Sequence, residues 1–144
     1  MGKTRVLFVC VHNSARSQMA EAFLKKYAGD SFDVESAGIE PGILNPMVVD
    51  AMREAGIDIS QNETKSVFDF LKQGKWFHYV ITVCDETSGE RCPIFPGISQ
   101  RLHWSFDDPS TFEGSYAEKL LRTRIVRDAI EKRVSEFLSD IREM

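Results

Sequence analysis

Two hydrophobic periods alternate along this chain. Val6-Leu7-Phe8-Val9 is a short unbroken apolar run, the pattern of a parallel strand buried on both faces. Cys10 to Ser14 breaks it. From Arg16 the apolar residues Met19, Ala20, Phe23, Leu24 and Tyr27 fall at helical spacing, and the run closes near Gly29. Phe32 to Ser36 predicts a second strand, stopped at Gly38. Asn45 then Pro46 reads as an N-cap and first helical turn, and that helix runs through Val48, Val49, Met52 and Ala55 to Gly56. A short helix is expected over Val67 to Lys72, before Gly74. Tyr79 to Val83, rich in β-branched residues, predicts the third strand. Cys84 to Gly97 is polar and interrupted by Gly and Pro, so it reads as loop, and Leu102-His103-Trp104 reads as a short fourth strand. The last helix carries Leu120, Leu121, Ile125, Val126, Ala129, Ile130, Val134, Phe137, Leu138 and Ile141, a stripe read as core packing.

Strands alternating with helices predict one α/β domain over residues 1–144, an open parallel four-stranded sheet flanked by helices with right-handed crossovers. In such a sheet the loops after the strand C-termini form the ligand crevice. Cys10, Ser36, Cys84 and Asp108 each follow a predicted strand, so all four are expected at one edge.

Composition narrows the choice of partner. The chain has 144 residues, 28% of them charged, and a net charge of -4, which disfavours nucleic acid. An anionic substrate must then be captured locally rather than steered by overall charge. No targeting segment or membrane span is visible, so a cytoplasmic location is expected, and the chain is read as a monomer. Cytoplasmic thiols stay reduced, so the three cysteines read as free or catalytic rather than structural. Their spacing does not suit zinc, and no metal or cofactor is expected. His78 and His103 read as structural, and the aromatic residues as core.

Cys10-Val11-His12-Asn13-Ser14-Ala15-Arg16-Ser17 joins a strand to a helix. Such a loop can turn backbone N–H groups inward as an anion nest, and the helix adds its positive end. Arg16 suits bidentate contact with a tetrahedral oxyanion. The same features would hold Cys10 as a reactive thiolate, with Ser17 donating to the sulfur. Asn13 tolerates the left-handed backbone that a tight loop needs. Asp108 precedes Pro109, which restricts it to extended geometry and makes it a candidate general acid. Asp107 reads as a solvated neighbour.

The run Phe8 to Glu21 resembles the signature of the low-molecular-weight tyrosine phosphatase superfamily, and within it the thioredoxin-coupled arsenate reductases. Ser36-Ala37-Gly38, Asn45-Pro46, Ile57-Asp58-Ile59-Ser60 and His103-Trp104 extend the resemblance over nearly the whole chain. It implies that arsenate, with phosphate or sulfate as analogues, binds at Val11, His12, Asn13, Ser14, Ala15, Arg16 and Ser17. It implies attack by Cys10, proton donation by Asp108, and a disulfide relay from Cys10 through Cys84 to Cys92, reset by thioredoxin.

Two departures matter. His12 stands where many relatives have Gly, and Val11-His12-Asn13 resembles the branch that uses a small thiol and a mycoredoxin, which leaves the reductant open. Some relatives bind potassium at positions matching Asn13, Glu21, Ser36 and an aspartate. Here Lys65 takes the aspartate's position, and its ammonium is expected to bond Asn13 and Glu21 directly, without potassium activation. The main rival function is a low-molecular-weight phosphatase acting on phosphate monoesters. It shares Cys10, Arg16 and Asp108 but has no use for Cys84 and Cys92. A non-enzymatic oxyanion or redox sensor would need no acid at Asp108.

Overall fold

The computed structural model describes residues 2–84, 94–97 and 99–142. The predicted relay residue Cys92 lies outside them. Among the described residues the chain forms β1 (Thr4–Cys10), α1 (Arg16–Ala28), β2 (Phe32–Gly38), α2 (Pro46–Glu54), α3 (Val67–Lys72), β3 (Tyr79–Thr82), β4 (Gln100–His103) and α4 (Tyr116–Arg142). A turn of 3-10 helix covers Pro109–Thr111. The four strands make one parallel sheet in the order β2-β1-β3-β4.

β1 is central, and its apolar run packs in both directions. Val6 and Phe8 face a core completed by Met19, Phe23 and Leu24 of α1, Val48 and Met52 of α2, and Ile130, Val134 and Phe137 of α4. Leu7 and Val9 face a smaller core with Val67 and Phe70 of α3, Phe77 and Phe95. The sheet is therefore covered on both sides, as an all-parallel sheet requires. With its central strand locked between two cores, the end of β1 is a rigid platform for Cys10.

Three expectations change. The fourth strand lies at Gln100–His103, not Leu102 to Trp104. It is an edge strand with mostly exposed side chains, so hydrophobicity gave no signal at Gln100 and Arg101. Trp104 instead ends the pairing, donating its N–H to Thr82 O, and packs its ring between Phe8 and Phe137. In α4, Leu121 and Ile125 are exposed rather than core. At 3.6 residues per turn they fall opposite Thr123, Val126, Ile130 and Val134, which face inward. Tyr27 likewise leaves the apolar stripe of α1, and its hydroxyl donates to Glu131 across the α1–α4 seam.

Candidate active site

Cys10 is the last residue of β1, and α1 begins at Arg16, so only five residues turn the chain back. Donors from the segment after β2 tie off the carbonyls of this turn. Ile39 N–H bonds Cys10 O (3.1 Å), Glu40 N–H bonds Val11 O (2.7 Å), Gly42 N–H bonds His12 O (3.0 Å) and Asn45 N–H bonds Ser14 O (2.9 Å). In a trans peptide the N–H points opposite to the carbonyl. The N–H groups of Val11, His12, Asn13 and Ala15 thus point away from the carbonyls that the segment after β2 ties off. Asn13 N–H reaches the Cys10 sulfur at 3.2 Å. Asn13 has φ 54°, the left-handed backbone its residue type tolerates.

Gly38 makes this close approach possible. A Cβ at that position would lie 2.8 Å from Asn13 N, His12 C and Val11 O, all backbone atoms that cannot swing away.

Beneath the loop the polar side chains saturate one another. Asn13 Oδ1 accepts the backbone N–H of Lys65 (2.9 Å), which fixes the orientation of its amide because a backbone N–H can only donate. Its Nδ2 therefore donates to Ser17 Oγ (2.7 Å) and Ser36 Oγ (2.9 Å). The Ser36 hydroxyl donates its hydrogen bond to Glu21 Oε1. Ser17, already accepting from Asn13, has its proton left for Cys10 Sγ at 2.9 Å. The sulfur thus receives two donors, the Asn13 N–H and the Ser17 hydroxyl. Gln18, fully buried, donates through Nε2 to Asn13 O (3.1 Å) and Glu63 O (3.1 Å) and accepts from Asn62 (3.0 Å). It ties the 62–65 segment to the loop.

Arg16 is buried and turns back over the loop. Its Nη1 donates to Phe106 O (3.1 Å) and its Nη2 stands 3.4 Å from Asp108 Oδ2. Asp108 is extended (φ -86°, ψ 112°), as the following Pro109 requires, and its Oδ1 caps Ser110 N–H at 2.9 Å. Asp107 is exposed. Cys84 lies two residues past β3, fully buried, with its sulfur 3.9 Å from Val9 O on β1. Since Val83 N–H also bonds Val9 O, Cys84 is held at the level of the β1 terminus, where Cys10 stands.

The structure therefore gathers Cys10, Asn13, Ser14, Ala15, Arg16, Ser17, Glu21, Ser36, Cys84 and Asp108 at the C-terminal edge of the sheet. Ser36 lies within β2 rather than after it. His12 is exposed, its Nδ1 on Glu40 O at 2.8 Å. The Lys65 ammonium does not take the place expected of it. It bonds Glu63 O (3.1 Å), and only its backbone reaches Asn13. Lys25, one turn along α1, pairs with Glu21 instead (2.5 Å). The Lys65 carbonyl accepts Gly38 N–H at 2.7 Å, so it is the backbone of this segment that joins the loop network. Gln18, Lys25 and the tight approach of Gly38 were not legible as site features, since each acts through partners distant in sequence or one helical turn away. No group of three or more His, Cys, Asp or Glu residues able to hold a metal occurs among the described residues. None of their helices is long and apolar enough to cross a membrane.

Residues 5–144 match the family model described as low molecular weight phosphotyrosine protein phosphatase. An arsenate reductase of Halalkalibacterium halodurans is 45% identical over 137 residues, 95% of this chain and 96% of that protein. Among solved structures, a thioredoxin-dependent arsenate reductase of Corynebacterium glutamicum superposes with TM-score 0.72 at 31% identity, covering 99% of this chain, which spans 63% of that one. An arsenate reductase in its phosphate-binding state superposes with TM-score 0.75 at 29% identity, covering 96% of this chain and 98% of that one.

Proposed function

The chain belongs to the low molecular weight phosphotyrosine protein phosphatase family, and from that premise we propose that it is an arsenate reductase working by cysteine redox chemistry. The observation that carries this reading is the second buried sulfur. Cys84 is held at the β1 terminus beside the nucleophile loop. Hydrolysis of a phosphate ester needs one sulfur, whereas two-electron reduction of an oxyanion needs two.

Arsenate enters the nest of N–H groups and is clamped by Arg16. The Cys10 thiolate attacks arsenic and forms a sulfur–arsenic bond, while Asp108 gives a proton to the departing hydroxide, which leaves as water. Cys84 then attacks the Cys10 sulfur. A disulfide forms, the sulfur–arsenic electron pair stays on arsenic, and arsenic(V) leaves as arsenite, arsenic(III). Cys92 attacks Cys84 in a disulfide exchange that frees Cys10, and thioredoxin reduces the Cys84–Cys92 pair. The electrons come from thiols, so no cofactor is required, and a reducing compartment such as the cytoplasm suits the cycle.

The test is NADPH oxidation in a mixture of reduced protein, arsenate, thioredoxin and thioredoxin reductase. We expect arsenate-dependent oxidation that stops in Cys10→Ser. In Cys92→Ser one arsenite should be released per enzyme and cycling should fail. Undiminished cycling in Cys92→Ser would overturn the relay. The phosphatase reading is favoured by Cys10, Arg16 and Asp108 alone. Fast aryl phosphate hydrolysis, with no arsenite from stoichiometric reduced enzyme, would replace the proposal with it.

A further inference from the structure

We infer that Lys25 is a positioning residue for the nucleophile, acting through the chain of hydrogen bonds that leads from its ammonium to Cys10. The connection runs Lys25 Nζ to Glu21 Oε2, Glu21 Oε1 to Ser36 Oγ, Ser36 Oγ to Asn13 Nδ2, Asn13 Nδ2 to Ser17 Oγ, and Ser17 Oγ to Cys10 Sγ. Every member between Lys25 and Cys10 is buried.

Glu21 is the reason this chain needs a cation at its far end. Its carboxylate side chain is only 8% exposed and sits on the same network as a sulfur that must itself carry negative charge. Two anions sharing a poorly solvated region disfavour each other. Without a counter-ion, either Glu21 takes up a proton or the Cys10 thiolate is destabilised. If Glu21 became protonated it would no longer be obliged to accept from Ser36. The Ser36 hydroxyl could then turn, the Asn13 amide would lose a fixed acceptor, and the proton of Ser17 would no longer be directed at the sulfur. The Lys25 ammonium lies one helical turn from Glu21, the spacing at which helix side chains meet. It is the cation the described structure places on this carboxylate. Its side chain is 53% exposed, so it balances Glu21 while remaining hydrated and incurs little desolvation. An exposed ion pair of this spacing is ordinarily worth little to stability. The role assigned here is therefore read in the reactivity of Cys10 and not in the melting temperature.

The inference rests on Cys10 as nucleophile, but its test needs no arsenate turnover. The chain has three cysteines, so Cys84→Ser with Cys92→Ser leaves Cys10 as the sole thiol. In that background the rate of iodoacetamide alkylation is followed against pH. Lys25→Met should move the alkylation midpoint upward by roughly half to one pH unit, the order expected for one uncompensated charge in a partly buried setting. At pH values below the midpoint this slows alkylation by about three- to tenfold. Lys25→Arg should restore the original midpoint. In a Glu21→Gln background, Lys25→Met should have no effect, because the charge it balances is gone. An unmoved midpoint in Lys25→Met would overturn the inference, as would an equal shift with Glu21→Gln present. Should the midpoint move while the unsubstituted protein reduces no arsenate, the proposed function fails and the role of Lys25 stands.

Discussion

At the seam between α2 and α4, Glu54 takes Arg124 through two bonds of 2.8 and 2.7 Å and Arg127 at 3.1 Å, and Tyr116 donates to Asp50. In the loop after β1, Asn13, Ser17, Ser36, Glu21 and Gln18 are joined by amide and hydroxyl hydrogen bonds. The two networks differ above all in their exposure to solvent. The seam is exposed, so water replaces any contact it loses and salt screens the rest. The loop network is buried, and a polar group orphaned there costs about 1–3 kcal/mol. The loop must therefore be complete, and its completeness holds the Cys10 sulfur beneath its donors. Ion pairs at the seam fasten two helices; hydrogen bonds at the loop set up chemistry.

The largest effect should come from removing chemistry while sparing structure. Asp108→Asn keeps the cap on Ser110 but loses the proton and the charge that faces Arg16, so turnover should drop about 10²- to 10⁴-fold while the melting temperature falls only slightly. Equal loss of both would mean that Asp108 mainly holds the arm from Phe106 to Thr111. Gly38→Ala should act on both properties. Its Cβ would meet loop backbone at 2.8 Å, so about 1–3 kcal/mol of stability should be lost and alkylation of Cys10 should slow. Denaturant titration and alkylation kinetics read the two parts separately, and an unaffected Cys10 would show that the loop can shift without harm.

The seam should respond least. Hydrogen bonding from Arg124 is the main cause that holds the Glu54 carboxyl at about 2, below its ordinary 4.5. A carboxyl depressed in the folded state contributes stability above its unfolded value and loses it as the pH falls through the folded one. Thermal melts should thus show this contribution intact above pH 4.5 and fading toward pH 2. Arg124→Met should flatten the profile in that window and leave turnover at neutral pH unchanged. A turnover loss would show that the seam is coupled to the site after all.

Much of this was written locally. The apolar run Val6 to Val9 between polar flanks announces a central parallel strand, because burial on both faces removes the alternation other strands need. Asn45-Pro46 announces a helix start, and Asn45 Oδ1 does accept Met47 N–H at 2.9 Å. Asp108 before Pro109 announces an extended residue for a steric reason confined to two positions. The start of the edge strand, at Gln100 and Arg101, was illegible because exposed side chains carry no hydrophobic period. Lys65 and Lys25 are equally plausible partners for Glu21 on charge alone.

The sequence by itself determined the elements, their order, and the residue types at the loop from Cys10 to Ser17. These follow from neighbours a few positions apart, through periodicity, capping and steric restriction. Tertiary structure alone decided which lysine faces Glu21, which way the Asn13 amide points, and where the Ser17 proton goes. Each of those outcomes depends on partners brought together from β2, α1 and the segment at Glu63 to Lys65. Hydrogen-bond direction is settled only when every donor and acceptor in a buried network is present to be counted.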